Sequence, residues 1–259
     1  MSGFDPTWLA LREPHDHAVR DLDLTAAFVK ALGPSPRLID LGCGTGSNLR
    51  FLAPHLKPDQ SWTCVDYDSV LLDRLQTTKP EAIEVTTLCL DLAERLDDLE
   101  IGPGVGVTAA ALLDLTSAVW LDRLAERCRR QPVLMTLSFD GRLFWDPIDP
   151  VDEGIVSAFL QHQQGEKGFG PALGADAVNL LAERFRQMGH QVHLAPSDWR
   201  IGKTDVAMLR AMVDGIAGAA AEIDADLPID RWTVKRREQI EQGELSMMVG
   251  HLDLLTLPG

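Results

Sequence analysis

The chain has 259 residues, of which 45% are hydrophobic and 24% are charged, as in globular proteins with one large domain. Its formal net charge is −15 at pH 7, from 39 acidic and 24 basic residues, and such a surface repels nucleic acids. The composition therefore argues against a nucleic-acid partner and favours a small molecule.

Neither a membrane span nor a secretory signal is expected. The longest apolar stretches, such as 105–113, are too short to cross a bilayer. Residues 1–6 lack the basic and apolar regions of a signal peptide, which predicts a cytoplasmic location. The four cysteines show no metal-ligand spacing, so we expect reduced thiols and no metal site.

Residues 1–36 are predicted to form an N-terminal helical cap. A short helix around Trp8 is expected to end at Pro14, and an amphipathic helix follows over 21–32. The alternative is a solvated N-terminal arm.

From residue 37 the pattern alternates between strands and helices. Strands are predicted at 38–41, 61–65, 83–90, 105–113 and 132–139, with a helical pattern after the first, second and fourth. Such alternation predicts an α/β fold with a doubly wound, mostly parallel sheet. Right-handed crossovers then bring the carboxyl ends of the strands to one edge, where ligands bind.

The first strand ends in an acid and a glycine-rich turn. Asp40 is followed by Gly42, Gly44 and Gly46, and a helical pattern begins near Ser47. A dinucleotide-binding turn would have its third glycine at position 47, and a carboxylate at Asp40 would repel a pyrophosphate. The turn therefore favours a ligand that carries an ammonium group, and a purely structural turn is the alternative.

Acidic residues also follow the next three predicted strands. Asp66, Asp91 and Asp114 stand in positions that correspond to Asp40, so all four should meet at the same edge of the sheet. A single aspartate of this kind is usually a helix cap or a turn former. Carboxylates that share one edge are costly unless cationic or hydrogen-bonding groups meet them.

The second half departs from the alternation. Residues 140–171 are predicted to be a turn-rich insertion, either a substrate lid or a surface hairpin, with His162, Glu166 and Lys167 as its polar candidates. A helix at 174–189 and a strand at 190–195 follow. Two helices within 203–243 then precede a last strand at 245–257, and their role is either substrate binding or a homodimer contact.

The acid and glycine pattern resembles motif I of the class I S-adenosylmethionine (SAM)-dependent methyltransferases, and the resemblance covers residues 37–140. It implies a single Rossmann-like domain over 1–259 whose seven-stranded sheet has an antiparallel last strand. It also implies SAM as the cofactor, with Asp66 on the ribose, Tyr67 against the adenine, and Asp91 with Leu92 at the adenine amino group. N-terminal helices often cover the cofactor in this family, so the resemblance makes Arg12, His15 and His17 candidates to face the site. The full set of implied cofactor residues is Arg12, Asp40, Gly42, Gly44, Gly46, Asn48, Asp66, Tyr67, Asp91, Leu92, Ala111, Leu112 and Asp114.

The expected reaction is methyl transfer from SAM to a small-molecule acceptor. A general base is needed only when the acceptor must lose a proton, and its candidates are His17, Asp114 and His162. Two alternatives stay open at this point. One is an NAD(P)-dependent oxidoreductase on the same type of sheet, and the other is a catalytically silent SAM-binding partner subunit.

Overall fold

A computed structural model describes residues 4–259, which form one central sheet with helices on both faces. The strands are β1 (Arg37–Leu41), β2 (Ser61–Asp66), β3 (Glu84–Cys89), β4 (Val105–Ala110), β5 (Val133–Asp146), β6 (Gln191–Pro196), β7 (Trp199–Ile201) and β8 (Ser246–Leu257). The helices in this part of the chain are α1 (Pro6–Val19), α2 (Leu22–Leu32), α3 (Ser47–Leu52), α4 (Ser69–Thr78), α5 (Leu92–Arg95), α6 (Ala118–Arg127), α7 (Asp152–Gln163), α8 (Ala177–Gln187), α9 (Val206–Ile223) and α10 (Ile229–Glu241).

The sheet has the predicted α/β topology. Its main path runs β3-β2-β1-β4-β5-β8-β6, and the short β7 pairs with β8 as an additional strand. Strands β1 to β5 pair in parallel, whereas β8 runs antiparallel to both β5 and β6. Because the strand order reverses between β1 and β4, the carboxyl ends of these two strands border a crevice of the kind that binds ligands in open α/β sheets.

Alternation along β1 decides which face each of its side chains meets. Ile39 and Leu41 pack with the core below α6 and α8, whereas Leu38 packs with the core of α2 and α3. Because side chains in a strand alternate between the two faces, Asp40 projects to the same face as Leu38. The acid predicted at the end of the first strand is therefore directed toward α3, where the chain continues after the glycine turn.

Helix α1 is longer than the sequence analysis expected. It runs from Pro6 to Val19 and continues through Pro14, which lies exposed within the helix. A proline inside a helix costs roughly 3 kcal/mol because it removes one hydrogen bond. Here the helix is supported by Asp5, whose carboxylate caps the Thr7 amide at 2.8 Å, and by Trp8, which packs against the core.

Strand β5 is also longer than expected. Residues 140–146 were predicted to open a turn-rich insertion, but they continue β5 and pair with β8 as far as Asp146 opposite Ser246. The strand passes an irregularity at Leu137, whose φ is 56° and whose amide donates to Asp253 of β8 at 2.8 Å. The long partner strand thus satisfies the backbone of a segment that reads as loop from composition alone.

The extended part of β5 and β8 supports a second core. Its buried side chains come from α7, α9 and α10 as well as from β7, and include Trp145, Trp232 and Leu209. The predicted helices in 203–243 therefore pack on the end of the sheet next to α7. Among the helices of residues 4–259, none combines the length and apolar character needed to cross a membrane.

The close contact between α2 and β4 generates a stability prediction. A Cβ on Gly106 would lie 2.4 Å from Leu32 and 3.0 Å from Phe28, whereas a Cβ on Gly218 of α9 would meet nothing within 4 Å. We expect Gly106→Ala to lower the free energy of unfolding by about 1–3 kcal/mol through overpacking. Gly218→Ala should raise it by about 0.5–1 kcal/mol because alanine favours a helix interior. Denaturant unfolding measures both, and equal effects of the two variants would contradict the packing described here.

Candidate functional site

The turn after β1 has a backbone that favours glycine at three positions. Gly42, Gly44 and Gly46 have positive φ angles of 63°, 52° and 87°, a region that side chains with a Cβ rarely adopt. A Cβ on Gly46 would also lie only 2.8 Å from Leu75 of α4. Gly42 and Gly44 line a cavity at this edge of the sheet. The turn thus gives the cavity a wall without side chains, to which a ligand can come close.

Asp40 is a fully buried carboxyl at the same place. Its Oδ1 accepts a hydrogen bond from Asn48 Nδ2 at 2.7 Å, and Asn48 in turn accepts one from Arg20 at 3.1 Å. Its Oδ2 has no partner among the described residues. Burial raises the pKa of Asp40 to about 7, although Asn48 and Arg20 favour the charged form, and nearby Asp66 raises it further. A buried carboxyl with one free oxygen is suited to a cationic or N–H-bearing ligand.

Asp66 ends β2 and contacts the glycine turn. Its Oδ2 accepts from the Gly44 amide at 2.8 Å and its Oδ1 from the Asp68 amide at 3.0 Å. Burial raises the pKa of Asp66. Each carboxylate oxygen has a second lone pair, so both can still accept a hydrogen bond from a ligand. The next residue, Tyr67, is the only tyrosine of the chain and exposes 39% of its surface.

Asp91 and Leu92 occupy the corresponding place after β3. One oxygen of Asp91 caps α5 by accepting from the Ala93 amide at 2.9 Å, which leaves its other oxygen for a ligand. Leu92 is buried, and its carbonyl accepts from Trp120 Nε1 at 2.7 Å. The start of α5 is therefore fixed against α6.

These groups surround one cavity of about 360 Å³, which lies within the usual range for small-molecule sites of roughly 300–1,000 Å³. Asp40, Asp66 and Asp91 all line it, as the strand-end argument requires. Its remaining walls are Phe4, Leu9, Arg12, Asp16, Gly42, Cys43, Gly44, Thr45, Ser47, Asn48, Tyr67, Leu71, Leu90, Leu92, Ala110, Ala111, Leu112, Leu115, Glu166, Lys167 and Phe169.

Helix α1 covers part of this cavity, and an ion pair within the helix is bound there by Trp199 of β7. Arg12 binds Asp16 through two hydrogen bonds, of 2.9 Å from Nε and 3.2 Å from Nη2. Asp16 also accepts from Trp199 Nε1 at 3.1 Å, and the Arg12 guanidinium lies over the Trp199 ring at 4.8 Å from its centroid. Strand β7 thus anchors the helix that closes the site.

Comparison with models of known protein families gives no match, and comparison with curated proteins gives none either. Solved structures do match. The cyclopropane synthase MmaA2 from Mycobacterium tuberculosis has a TM-score of 0.51 and 13% identity, over 96% of this chain and 94% of that chain. A SAM-dependent methyltransferase from Geobacter sulfurreducens in complex with S-adenosyl-L-homocysteine (SAH) has a TM-score of 0.50 and 14% identity, over 100% of both chains. The mycolic acid cyclopropane synthase CmaA1, complexed with SAH and CTAB, has a TM-score of 0.50 and 12% identity, over 90% and 83%.

The chain has the class I methyltransferase fold. The low identities limit this conclusion to the fold, and the sequence-based expectation of that fold is confirmed. Within it, the structure brings all the residues expected at the cofactor to the cavity except Gly46 and Asp114.

Those two residues lie just outside the cavity wall for different reasons. Gly46 lies in the turn close to the Leu75 side chain of α4 and does not line the cavity. Asp114 was expected directly after a strand ending at 113, but β4 ends at Ala110 and Asp114 lies on a following 3₁₀ turn, 113–115. Its Oδ1 is buried without a hydrogen-bond partner among the described residues, and burial raises its pKa.

The two histidine candidates for a general base do not line the cavity of this methyltransferase fold either. His17 Nε2 lies 3.1 Å from Ser47 Oγ, and its ring packs on Phe51. His162 lies between Lys167 and Glu222, with Nδ1 3.2 Å from Lys167 Nζ and Nε2 3.2 Å from Glu222 Oε2. Of the N-terminal candidates that could face the site, Arg12 reaches the cavity, while His15 lines a separate depression beside Trp199.

Arg12 of α1 was predicted at the site, whereas Leu9 and Asp16 of the same helix were not. Leu9, Arg12 and Asp16 are spaced by three and four residues, so they share one face of a helix. That signal is visible only when the helix continues past Pro14. Phe169 was also missed as a wall of the cavity, because its role depends on packing against Trp120 at a ring distance of 5.2 Å.

The raised pKa of Asp40 predicts a particular dependence of stability on pH. Because Asp40 binds its proton more tightly in the folded protein than in the unfolded chain, the free energy of unfolding falls as pH rises from about 4 to about 7. An asparagine in place of this aspartate would carry no charge at any pH. We therefore expect the ligand-free Asp40→Asn variant to be more stable than the wild type above pH 7, by up to roughly 4 kcal/mol.

The measurement is denaturant unfolding of both proteins at pH 5 and pH 8. The advantage of the variant should shrink toward pH 5, where the wild-type carboxyl is protonated in the fold. A variant that is less stable than the wild type at pH 8 would show that the Asp40 carboxylate stabilises the empty site.

Proposed function

We propose that the protein is a SAM-dependent methyltransferase that acts on a small-molecule acceptor. The observation that carries this proposal is the convergence of Asp40, Asp66 and Asp91 on one cavity beside a glycine turn. The unpartnered Oδ2 of Asp40 fits the ammonium group of the methionine part of SAM. The side-chain-free wall at Gly42 and Gly44 fits a cofactor that comes close to the backbone.

The methionine end of SAM carries an ammonium and a carboxylate, and the cavity offers a group for each. Asp40 and the glycine turn would hold the ammonium. Within the described part of the chain, Arg12 uses Nε and Nη2 on Asp16, which leaves its other N–H donors for the carboxylate. Asn48 keeps the Asp40 carboxyl oriented.

The adenosine end would lie along the carboxyl ends of β2 and β3. Asp66 has lone pairs left for the two ribose hydroxyls, and the half-exposed ring of Tyr67 offers a flat surface for the adenine. Asp91 keeps one carboxylate oxygen for the adenine amino group. These roles follow the resemblance residue by residue.

SAM, when bound, supplies a methyl group activated by a sulfonium. The residues of this chain then have to bind, orient and keep out water, because orientation alone contributes several kcal/mol, up to roughly 7–11 in well-aligned systems. Leu112, Leu115 and Phe169 give the remaining wall an apolar character. Of the candidates for a general base, Asp114 lies in the turn between the cavity residues Leu112 and Leu115, while His17 and His162 are engaged elsewhere.

Two other functions are weaker on the same observations. A dinucleotide would bring a pyrophosphate to the turn beside the buried Asp40 carboxyl, and the two would repel each other. A silent SAM-binding subunit would share the cofactor residues but would transfer no methyl group. The small-molecule acceptor, the lack of a nucleic-acid partner and the cytoplasmic location stay predictions from composition and charge.

Calorimetric titration with SAH and, separately, with NAD⁺ tests the proposal. We expect the wild type to bind SAH and not NAD⁺. Asp40→Asn should weaken SAH binding by about 10- to 150-fold, since it loses a charge-assisted hydrogen bond. Wild-type protein that binds NAD⁺ and ignores SAH would refute the proposal. A silent subunit is recognised separately, by SAH binding without any methyl transfer to a metabolite extract.

Tyr67 provides a second, structurally mild test. Removal of an aromatic ring under a base costs about 1–3 kcal/mol, so Tyr67→Ala should weaken SAH binding roughly 5- to 150-fold. Tyr67→Phe keeps the ring and should bind like the wild type. Thermal unfolding of the ligand-free variants is the control, and because the ring is half-exposed the melting temperatures should stay close together. An SAH affinity unchanged in Tyr67→Ala would remove this residue from the adenine site.

A further inference from the structure

Among residues 4–259, Lys167 is a cation of the cavity wall that forms no ion pair with an acidic side chain. The other cation in the cavity wall, Arg12, is paired with Asp16 through two hydrogen bonds. Within residues 4–259, Lys167 forms no ion pair. The charges of Glu222 and Asp114 raise its pKa by Coulomb attraction over a longer distance. Partial burial lowers the pKa of Lys167.

A relay of hydrogen bonds fixes the position of this lysine. Lys167 Nζ lies 3.2 Å from His162 Nδ1, and His162 Nε2 lies 3.2 Å from Glu222 Oε2. An ammonium can only donate, so Nδ1 accepts and the neutral imidazole donates through Nε2 to the glutamate. Lys167 keeps two further N–H donors for a ligand.

The loop that carries Lys167 is also held in shape. Glu166 Oε1 accepts from the amides of Gly168 and Gly170 at 2.8 and 3.0 Å. Phe169 pairs with Thr116 as a β-bridge, which joins the loop to the turn after β4. The loop therefore holds the partly buried lysine in the cavity wall.

The position of Lys167 along the sheet separates it from the groups assigned to SAM. Asp66 and Asp91 follow β2 and β3, on one side of β1, whereas the Lys167 loop is bridged to the turn after β4, on the other side. SAM has a single carboxylate, for which Arg12 has free donors beside the glycine turn. A second, unpaired cation at the β4 end then lacks an anion within the proposed cofactor.

We propose that Lys167, positioned by His162 and Glu222, binds an anionic group of the methyl acceptor, either a carboxylate or a phosphate. This inference rests on the proposed function. In a chain of net charge −15, an anionic acceptor needs a local cation to overcome the repulsion of the surface, whereas a neutral acceptor does not. The methyl acceptor is therefore a small organic acid or a phosphate ester.

The test uses the full chain, tritiated SAM and a small-molecule extract of cells that carry the protein. The extract is separated on an anion exchanger into a retained and an unretained fraction. We expect labelled product only from the retained compounds. Phosphatase treatment of that fraction before the assay removes the acceptor if its anion is a phosphate monoester and leaves it if the anion is a carboxylate.

Lys167→Met should lower kcat/KM for that acceptor by roughly 10- to 150-fold, mainly through KM, because the anion loses a charged partner. Lys167→Arg keeps the charge and should retain most of the activity. Lys57→Met is the matched control, since Lys57 is exposed on the loop leading into β2, at the opposite edge of the sheet.

His162→Leu should raise KM with little change in kcat, and His162→Gln, which can accept the lysine hydrogen bond, should reverse part of that effect.

SAH affinity, measured by calorimetry, distinguishes a failure of the anion site from a failure of the proposed function. It should be the same within about twofold in all these variants, because none of them touches the groups assigned to SAM. Loss of SAH binding in the wild type would refute the proposed function itself. If SAH binds and no labelled product forms at all, the protein is a catalytically silent subunit, and the proposed function and the anion site are both refuted. If SAH binds and product forms, label from the unretained fraction alone or an unchanged KM in Lys167→Met would overturn the anion site and leave the proposed function standing.

Discussion

The buried carboxyl of Asp40 is the constraint on which the site depends. It sits at the end of β1 with no exposed surface, and its charge is opposed by burial and by Asp66. Among residues 4–259 its hydrogen-bond donor is Asn48, which Arg20, itself buried, holds in place by a hydrogen bond to the Asn48 side-chain oxygen. Such an arrangement costs stability in the empty protein and leaves one oxygen for a ligand, which is how binding sites commonly use buried charge.

The polar groups behind Asp40 connect the site to the far side of the sheet. Arg20 lies 3.9 Å from Asp253 of β8, and Asp253 accepts from the Leu137 amide and from the Asp21 amide at the start of α2. One carboxylate thus holds the irregularity in β5 and the first turn of α2 together. The orientation of Asn48 depends on this network, although neither Leu137 nor Asp253 reaches the cavity.

The two ends of the cavity are supported by different parts of the fold. The acids assigned to SAM stand on the regular half, where parallel strands and short turns fix them. The wall opposite them is formed by α1 and by the loop at Lys167, and both depend on the second core around β5, β8, α7 and α9. Trp199 anchors Asp16 of α1, while His162 and Glu222 come from α7 and α9. This half of the chain lies beyond the 37–140 region that carries the family resemblance, and it holds the groups we assign to the acceptor.

The sequence by itself determined that the chain forms an α/β sheet, that its first five strands are parallel, and that three acids lie together at the carboxyl edge of that sheet. Strand periodicity and glycine spacing are local properties, and right-handed crossovers convert them into one shared edge. That is why Asp40, Asp66 and Asp91 could be placed together before any coordinates. The course of α1 through Pro14 and of β5 through 140–146 could not be predicted in this way. In both segments local preference opposes the observed structure, and contacts with Trp199 and β8, distant in sequence, outweigh it.

Tertiary structure alone also decided which polar residues serve the cavity. Asp114 had the same sequence signature as the other three acids, but β4 ends early and the carboxyl turns into a buried position. From the sequence, His17 and His162 were candidate general bases, and His162, Glu166 and Lys167 were the polar candidates of the insertion. Packing directs the histidines to Ser47 and Glu222 and leaves the lysine in the wall. A pattern in the sequence fixes which edge of the sheet a residue reaches, whereas the direction of its side chain depends on the partners that folding brings to it.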